Sequence, residues 1–407
     1  MFAISLDVGT SSVKVGVVDV SGCVLFHKRI FFKPLLIASS LYDYFIRALE
    51  EAIRYCDENK LSVLGISVSG NGPTLISVSK FGRDEDVLLM WNDGKSEKLN
   101  NSVSIFAPRL SLFKKRYKNS YENSLFILPL VEYLLFRLGG SPITLLPEKR
   151  FEAFYWKEDD LKAIEFDKNL LCPFVELGYK VGSYKNIPLF AGPPDYIAAL
   201  IGTGTLENFS ACDVAGSSEG INISLEKKPA NVPSNVRVMP SVIPNLWTVA
   251  VLFNDTGIRF SNAVKKIKYD FKSDDLEEKF KEVMEVVSDC YYSNKKMEEV
   301  NKNFVEVYDI VIDILNSLKT SFGLLENITG FSGSYTLSGG HAKNDLYISM
   351  KSFVTKRSFA LLNHADGELL GNAILVFYKS GVYSSLKEAA KKTLKVTKTW
   401  EMEREND

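Results

Sequence analysis

Apolar residues recur along this chain with two periods, and the switches between them mark its elements. Phe2–Val8 is an almost unbroken run of β-forming residues. Val13–Asp19 alternates apolar positions with Lys14 and Gly16, and Val24–Phe32 follows a Ser21-Gly22 turn. Strand-like runs joined by turns this short predict a three-stranded meander. Leu41, Phe45, Leu49, Ala52, Ile53 and Cys56 then fall at helical spacing. Leu61–Ser69 is apolar and β-branched and stops at Ser-Gly-Asn-Gly-Pro, which predicts a buried strand feeding a loop. Leu75–Ser79 and Val87–Trp91 read as shorter strands, and Leu125–Leu138 as a helix stopped by Gly139-Gly140.

From Ser141 to Pro188 there are several prolines and only short periodic pieces, so this stretch reads as the end of a first domain and a linker. The expected division is residues 1–189 and 190–407. In the second part, Tyr196–Ile201 reads as a helix ended by Gly202-Thr203-Gly204. Ser210–Gly216 and Gly220–Leu225 read as a hairpin, and Leu276–Asp289 and Met297–Ser321 as long helices. Tyr335–Leu337 is a short strand, and Asp345–Val354 and Gly367–Ser380 are helices around a strand at Ser358–Leu362. Each half therefore opens with strand, small polar turn and strand, and continues into helices. This is a repeat of structure without a repeat of sequence.

The 407 residues exceed what one core usually supports, in line with two domains. The net charge of -1 and the lack of a basic stripe argue against a nucleic-acid partner. Five scattered cysteines, Cys23, Cys56, Cys172, Cys212 and Cys290, form no close pair; they read as small buried hydrophobes in a reducing compartment. The N-terminal stretch lacks a charged region before its apolar residues, so no signal peptide is expected. No apolar run is long enough to span a bilayer. The expectation is a cytoplasmic protein with no membrane partner; a homodimer is left open.

Three small polar turns carry candidate chemistry. In Leu6-Asp7-Val8-Gly9-Thr10-Ser11-Ser12-Val13-Lys14 a strand delivers an aspartate into a turn whose backbone N–H groups can form an anion-binding concavity. There Asp7 suits Mg²⁺, and Lys14 suits phosphate charge. Ala215-Gly216-Ser217-Ser218-Glu219-Gly220 is a second such turn. In Leu337-Ser338-Gly339-Gly340-His341-Ala342-Lys343-Asn344 a strand ends in paired glycines just before a helix, which suits a nucleotide lying over bare backbone. An ordinary hairpin turn or strand–helix loop uses the same residue types, so each alone leaves both readings open. Neither a Walker-type loop nor a GxGxxG opening a βαβ unit is present.

Taken in order, these segments resemble the FGGY family of carbohydrate kinases, within the hexokinase–actin–Hsp70 superfamily. The resemblance rests on LDVGTSSVKVGVVD at the N-terminus, GISVSGNGPTL, WNDGKS, AGPPDYIAALIGTG, the AGSS turn, LSGGHAKNDLYISMKSFV and DGELLGNAILVFYKSGVYSSLKEAA. These span nearly the whole chain.

The resemblance implies an α/β fold of two ribonuclease-H-like (actin-like ATPase) domains with a cleft between them. It implies transfer of phosphate from ATP, with Mg²⁺, to a hydroxyl of a small sugar or polyol. Asp7 matches the metal-linked aspartate, with Gly9, Thr10 and Ser11 beside it. Gly216, Ser217 and Ser218 match the second phosphate motif. Gly339 and Gly340 match the adenosine motif, with Asn344 just beyond. Asp195 matches the catalytic base, and Asn71, Trp91 and Asp93 lie where such kinases contact the acceptor. By spacing alone Asp195 is a helix cap, and a place at a helix start is expected to favour its ionised form. The chain departs from the family in a shortened segment before Asp195, with a remnant around Glu152–Trp156. It also has Gly-Ser-Ser in the second turn, Pro193-Pro194 before the base, and Lys95 where many members have arginine. The shortening keeps a second reading open: a catalytically weak or inactive relative that binds ATP or a sugar as a regulator.

Overall fold

The structure, a computed structural model, describes residues 1–32, 37–100, 102–273 and 275–401. The chain divides into two compact units. Unit 1 comprises Met1–Gly202, Val242–Pro244 and Glu368–Leu394; unit 2 comprises Thr203–Ser241, Asn245–Gly367 and the chain from Lys395 onward.

Unit 1 is built on a six-stranded sheet. Its strands are β1 (Phe2–Val8), β2 (Ser12–Asp19), β3 (Val24–Phe31), β4 (Val63–Gly70), β5 (Lys180–Tyr184) and β6 (Ile187–Pro194), in the order β5-β6-β4-β1-β2-β3. β1, β2 and β3 form the expected antiparallel meander, while β1, β4 and β6 run parallel. Parallel strands need cover on both faces, which explains the unbroken apolar runs of β1 and β4. Successive side chains of a strand point to opposite faces. Ala3 and Val18 accordingly pack with Leu370, Ala373, Val376 and Phe377 of a late helix, and Ser5 Oγ donates to the carbonyl of Leu369. Helix α1 (Ala38–Glu58) packs on the three meander strands through the expected stripe of Leu41, Phe45, Leu49, Ala52, Ile53 and Cys56.

Two expectations change here. Ser124–Pro129 is a strand paired antiparallel with Leu75–Ser79, and only α2 (Leu130–Arg137) is helical. Pro129 is the reason: a proline inside a helix removes a hydrogen bond and clashes with the preceding turn. The strand expected at Val87–Trp91 shrinks to Leu88–Leu89. The division expected between residues 189 and 190 instead falls inside β6, whose Leu189, Phe190 and Ala191 pair with Ile66, Ser67 and Val68 of β4. Residues 141–188 are therefore part of unit 1, and α3 (Asp195–Gly202), which follows β6 directly, belongs to it too.

Unit 2 carries seven strands, β7 (Ser210–Ala215), β8 (Glu219–Leu225), β9 (Val236–Pro240), β10 (Trp247–Phe253), β11 (Tyr335–Ser338), β12 (Phe359–Leu362) and β13 (Val396–Trp400). Their order is β9-β10-β8-β7-β11-β12-β13. The helices α4 (Thr256–Lys266), α5 (Leu276–Tyr292), α6 (Val305–Thr329) and α7 (Asp345–Thr355) complete it. The helix expected over Met297–Ser321 is broken by a 3₁₀ turn at Lys302–Phe304. It then runs on to Thr329, where Gly330 at φ +70° closes it. The aromatic rings of Phe322, Tyr335 and Phe359 meet in the core.

Both units repeat one topology. An antiparallel meander (β1-β2-β3 or β7-β8-β10) offers its first strand to two further parallel strands (β4 and β6, or β11 and β12). This is the α/β, ribonuclease-H-like arrangement expected from the sequence, present twice. Four of the five cysteines are buried as expected, whereas Cys23, in the β2–β3 turn, is exposed. No helix among the described residues is long and apolar enough to cross a membrane.

The chain rejoins unit 1 through α8 (Gly367–Lys379), which packs backbone to backbone on α3. A Cβ at Gly371 would stand 1.9 Å from the Ala198 carbonyl oxygen. No flexible side-chain end can yield there, so Gly371→Ala is expected to lower unfolding stability by about 2–3 kcal/mol, read from denaturant midpoints. Gly323, with open space around its Cβ position, is the control: its alanine variant is expected to match or exceed the parent.

Candidate active site

Strand register places the first carboxylate. Asp7, near the end of β1, lies opposite Lys14 on β2 and beside Ser69 on β4. It is 3% exposed; Ser69 donates to its Oδ1 at 2.8 Å, and Lys14 Nζ stands 3.6 Å from its Oδ2. Lys14 also reaches Glu368 at 3.4 Å. Pro194, the last residue of β6, pairs with Gly70 at the end of β4, so Asp195 emerges at the same edge. Asp7, Ser69 and Asp195 thus gather at the carboxyl ends of the parallel strands, where sheets of this kind bind ligands.

Asp195 is half-buried, and its Oδ1 accepts from the Tyr196 N–H at 2.7 Å. Burial, and after it the Asp7 charge, push its carboxyl up to about 8; Glu368 adds to this, while the Tyr196 N–H and Lys14 oppose it. The expectation that a helix start holds Asp195 ionised is therefore reversed in the free protein, because desolvation and a like charge outweigh one amide.

The first turn is tied by the Gly9 N–H donating to the Ser12 carbonyl at 2.9 Å, and it leaves Ser11 exposed. Thr10 Oγ1 accepts from the indole N–H of Trp91 at 3.0 Å. Trp91 is 41% exposed. Asp93 Oδ2 accepts from the Met90 N–H at 3.2 Å, and Arg109 donates to the carbonyls of Met90, Asp93 and Gly94. The structure thus fastens the 90–94 loop to the first turn.

Asn71 lines a recess in unit 1, and Trp91 and Asp93 do not. The recess is walled by Phe106, Leu130, Leu145, Tyr155 and Pro194, the last of which directly precedes Asp195. Its side-chain polar groups include Asn71, Thr74 and Glu132. Thr74 donates to Asn71 Oδ1 and accepts from the Trp91 N–H, and Asn71 Nδ2 donates to the Val8 carbonyl. Glu132, on the first turn of α2, is 4% exposed, and its Oε1 accepts from the Leu145 N–H at 2.8 Å. Burial pushes its carboxyl up to about 7. Phe106, Glu132, Leu145 and Tyr155 are absent from the expected site. The signal for Glu132 was a lone acid in the apolar stretch Leu130–Phe136. The others look like core residues in sequence.

In unit 2 the second turn joins β7 to β8, with Gly216 and Ser217 exposed and the Gly216 N–H donating to the Ser218 carbonyl at 2.8 Å. Two backbones press against it. A Cβ at Gly257, in the first turn of α4, would stand 2.0 Å from the Gly216 oxygen. One at Gly339, whose φ is +96°, would stand 2.2 Å from the Ala215 oxygen. Only glycine allows these approaches. Gly340 begins a 3₁₀ turn, and Asn344 caps α7, its Oδ1 accepting from the Tyr347 N–H at 3.0 Å. The Nδ2 of Asn344 is buried and makes no hydrogen bond among the described residues. Gly257, unremarked in the sequence, completes this cradle.

Beneath the turn lies an ionic cluster. Lys351, on α7, donates to Asp213 on β7 and to Glu219 at the start of β8, the latter at 2.6 Å. All three are fully buried. Burial pulls the Lys351 ammonium down, but the two carboxylates outweigh it and hold it above its ordinary value. Burial pushes Asp213 up to about 7 against the Lys351 charge. The His341 imidazole is held near 4, hence neutral, chiefly by burial. Lys351 sits on the apolar face of α7 with Tyr347, Ile348 and Val354, a charge where helical spacing calls for an aliphatic residue.

No family model matches the chain. A xylulose kinase of Staphylococcus epidermidis is 20% identical over 471 aligned residues, which cover 99% of this chain and 93% of that protein. Among solved structures, xylulose kinase from Lactobacillus acidophilus matches at a TM-score of 0.76 and 14% identity, covering 98% of this chain and 93% of that one. Glycerol kinase of Plasmodium falciparum, solved with ADP, matches at 0.76 and 15%, covering 99% and 94%. Gluconate kinase from Lactobacillus acidophilus matches at 0.75 and 14%, covering 98% and 93%. The chain carries the fold of the FGGY carbohydrate kinases.

Proposed function

We propose that this protein is an ATP-dependent kinase that phosphorylates a hydroxyl of a small sugar or polyol, with Asp195 as general base. The observation that supports it most is the place of Asp195: at the β6–α3 junction, in the electrostatic field of Asp7, next to a recess in the same unit. Phosphoryl transfer asks a protein mainly for positioning and charge stabilisation. Asp195 accepts the proton of the attacking hydroxyl as the acceptor lies in the recess. The first turn, with Gly9, Thr10, Ser11 and Lys14, and the second, with Gly216, Ser217 and Ser218, donate to phosphate oxygens. The cradle at Gly339, Gly340 and Asn344 takes the adenosine.

Asp7 is the residue that would hold Mg²⁺. Mg²⁺ takes few carboxylates and keeps several waters, so the single buried carboxylate of Asp7 suits it, with Asp195 and Glu368 in the same electrostatic field: burial first, and then the Asp7 and Glu368 charges, raise the Asp195 carboxyl. When bound, Mg²⁺ supplies positive charge to the phosphates. Asp7 anchors it through a carboxylate already oriented by Ser69.

The proposal fixes the sign of a pH dependence. A base works ionised, so activity falls as pH drops. The acidic limb of kcat/KM for the acceptor, measured with Mg-ATP held well below saturation, is expected near pH 8, where Asp195 titrates in the free protein. The limb of kcat is expected at lower pH, because the bound magnesium nucleotide favours the carboxylate. Initial rates of acceptor-dependent ADP formation between pH 6 and 9 test this. A flat kcat/KM across that range contradicts Asp195 as the base.

A further inference from the structure

The recess contains one acid that neither the fold nor the proposed chemistry explains. Glu132 is 4% exposed, and its carboxyl has one oxygen held by the Leu145 N–H. Beyond the Leu145 N–H the carboxyl has its own backbone N–H and no side-chain or ionic partner among the described residues. A buried acid at the wall of a recess, held by backbone alone and paired with no cation, is a place for a ligand group. The remaining polar side chains there are less available. Thr74 and Asn71 bond each other, and each also bonds backbone. The rest of the wall is largely apolar: Phe106, Leu130, Leu145 and Pro194, with Tyr155 stacked on Phe106 at a ring separation of 4.5 Å.

We propose that Glu132 selects an uncharged acceptor: its second carboxyl oxygen binds a hydroxyl of a neutral sugar or polyol, and the same group turns away acceptors that carry a carboxylate. This deepens the kinase reading and rests on it for the identity of the occupant. A carboxyl in an apolar recess offers a hydrogen bond to a hydroxyl at little desolvation cost, whereas a second carboxylate brought against it meets like charge with no described cation lining the recess. A site built to hydrogen-bond a hydroxyl also rejects analogues that lack it, because its own buried group is then left unpaired. Apolar walls suit the C–H edges of a sugar or polyol chain. Burial keeps the Glu132 carboxyl protonated up to about pH 7, where it donates as well as accepts; above that pH it carries the charge that repels a ligand carboxylate, so discrimination is read at about pH 8.

The test pairs acceptors of equal carbon number, xylitol and D-xylulose against xylonate, and glucitol against gluconate. Turnover and calorimetric binding are measured on the full-length protein with Mg-ATP. The wild type is expected to favour the neutral member of each pair at least ~100-fold. Glu132→Gln keeps the Leu145 hydrogen bond and loses the acid. It is expected to hold the neutral acceptor KM within ~10-fold and to narrow the discrimination against the carboxylate at least ~10-fold. Glu132→Leu is expected to raise the neutral acceptor KM ~100-fold or more while leaving KM for ATP unchanged. Preference for the aldonates, or unaltered acceptor KM and discrimination in both variants, overturns the proposal even if Asp195-dependent turnover stands. If no compound is phosphorylated, the kinase reading fails, and binding decides separately. Neutral polyols bound by the wild type and lost in Glu132→Leu support the role of Glu132, and no binding of any neutral compound overturns it.

Discussion

Asp195→Asn is expected to abolish acceptor-dependent turnover, by ~10³-fold or more, and at the same time to stabilise the protein. A general base contributes typically 10²–10⁴-fold, and asparagine cannot take the proton. The stability gain has the opposite origin. Wild-type Asp195 holds its carboxyl raised to about 8 by burial and by Asp7, far above its value in an unfolded chain. Below pH 4 both states are protonated and the residue costs nothing. As pH rises toward 8 the unfolded state releases its proton while the folded state retains it, so wild-type stability falls over that window. Asparagine is neutral throughout and can still accept from the Tyr196 N–H. The difference between variant and wild type should therefore grow from near zero at pH 4 to about 1–3 kcal/mol at pH 8, measured by urea unfolding. A functional group that costs stability is a different result from a helix cap, whose loss destabilises. An Asp195→Asn protein that is less stable at pH 8 and retains its turnover would return the residue to the capping role.

Lys351→Met is expected to be the most damaging single change to the fold. Removing the ammonium strands Asp213 and Glu219 in a fully buried site, at a cost of about 3–5 kcal/mol. The loss depends on pH with a defined sign. In the variant both carboxyls favour their neutral forms, so destabilisation is mild near pH 4 and deepens as pH rises toward 8. Replacing all three groups together, with Lys351→Met, Asp213→Asn and Glu219→Gln, removes the stranded charge and is expected to recover most of the loss. Equal destabilisation of the single and the triple variant, or a loss independent of pH, contradicts the stranded-charge explanation. The cluster ties α7 to both strands that carry the second turn, so the single variant should also loosen nucleotide binding.

The parts of the fold that the sequence pattern announced are those where one physical signal dominates. β1, β2 and α1 have long periodic runs bounded by clear turns, and they form as expected. The prediction failed where signals conflict or run short. Leu125–Leu138 has enough apolar residues for a helix, but Pro129 hands its first half to a strand. Residues 141–188 are short strands, 3₁₀ turns and one short helix, Glu158–Ala163, and the strands depend on pairing with distant segments; Phe174–Glu176 pairs with Thr144–Leu146, for example. Local periodicity carries no trace of that. At the site, Asp7, Asn71, Asp195 and the glycines were legible because turns and resemblance both mark them. Glu132, Lys351 and Gly257 were not. A buried charge or a close backbone approach becomes meaningful only when its neighbours in space are known. The raised Asp195 carboxyl has the same character: the helix start is visible in sequence, while Asp7 is brought to it only by the register of β1, β4 and β6.

The central claim is acceptor-dependent phosphoryl transfer with Asp195 as base, and its most direct test is ADP formation from Mg-ATP across neutral pentoses, ketoses and polyols. The expected result is stimulation by at least one compound, recovery of that compound as its phosphate, and loss of both in Asp195→Asn. ATP bound without stimulation by any compound, or ADP formation that is indifferent to acceptor and persists in Asp195→Asn, would contradict the account and favour a nucleotide-binding relative without kinase activity.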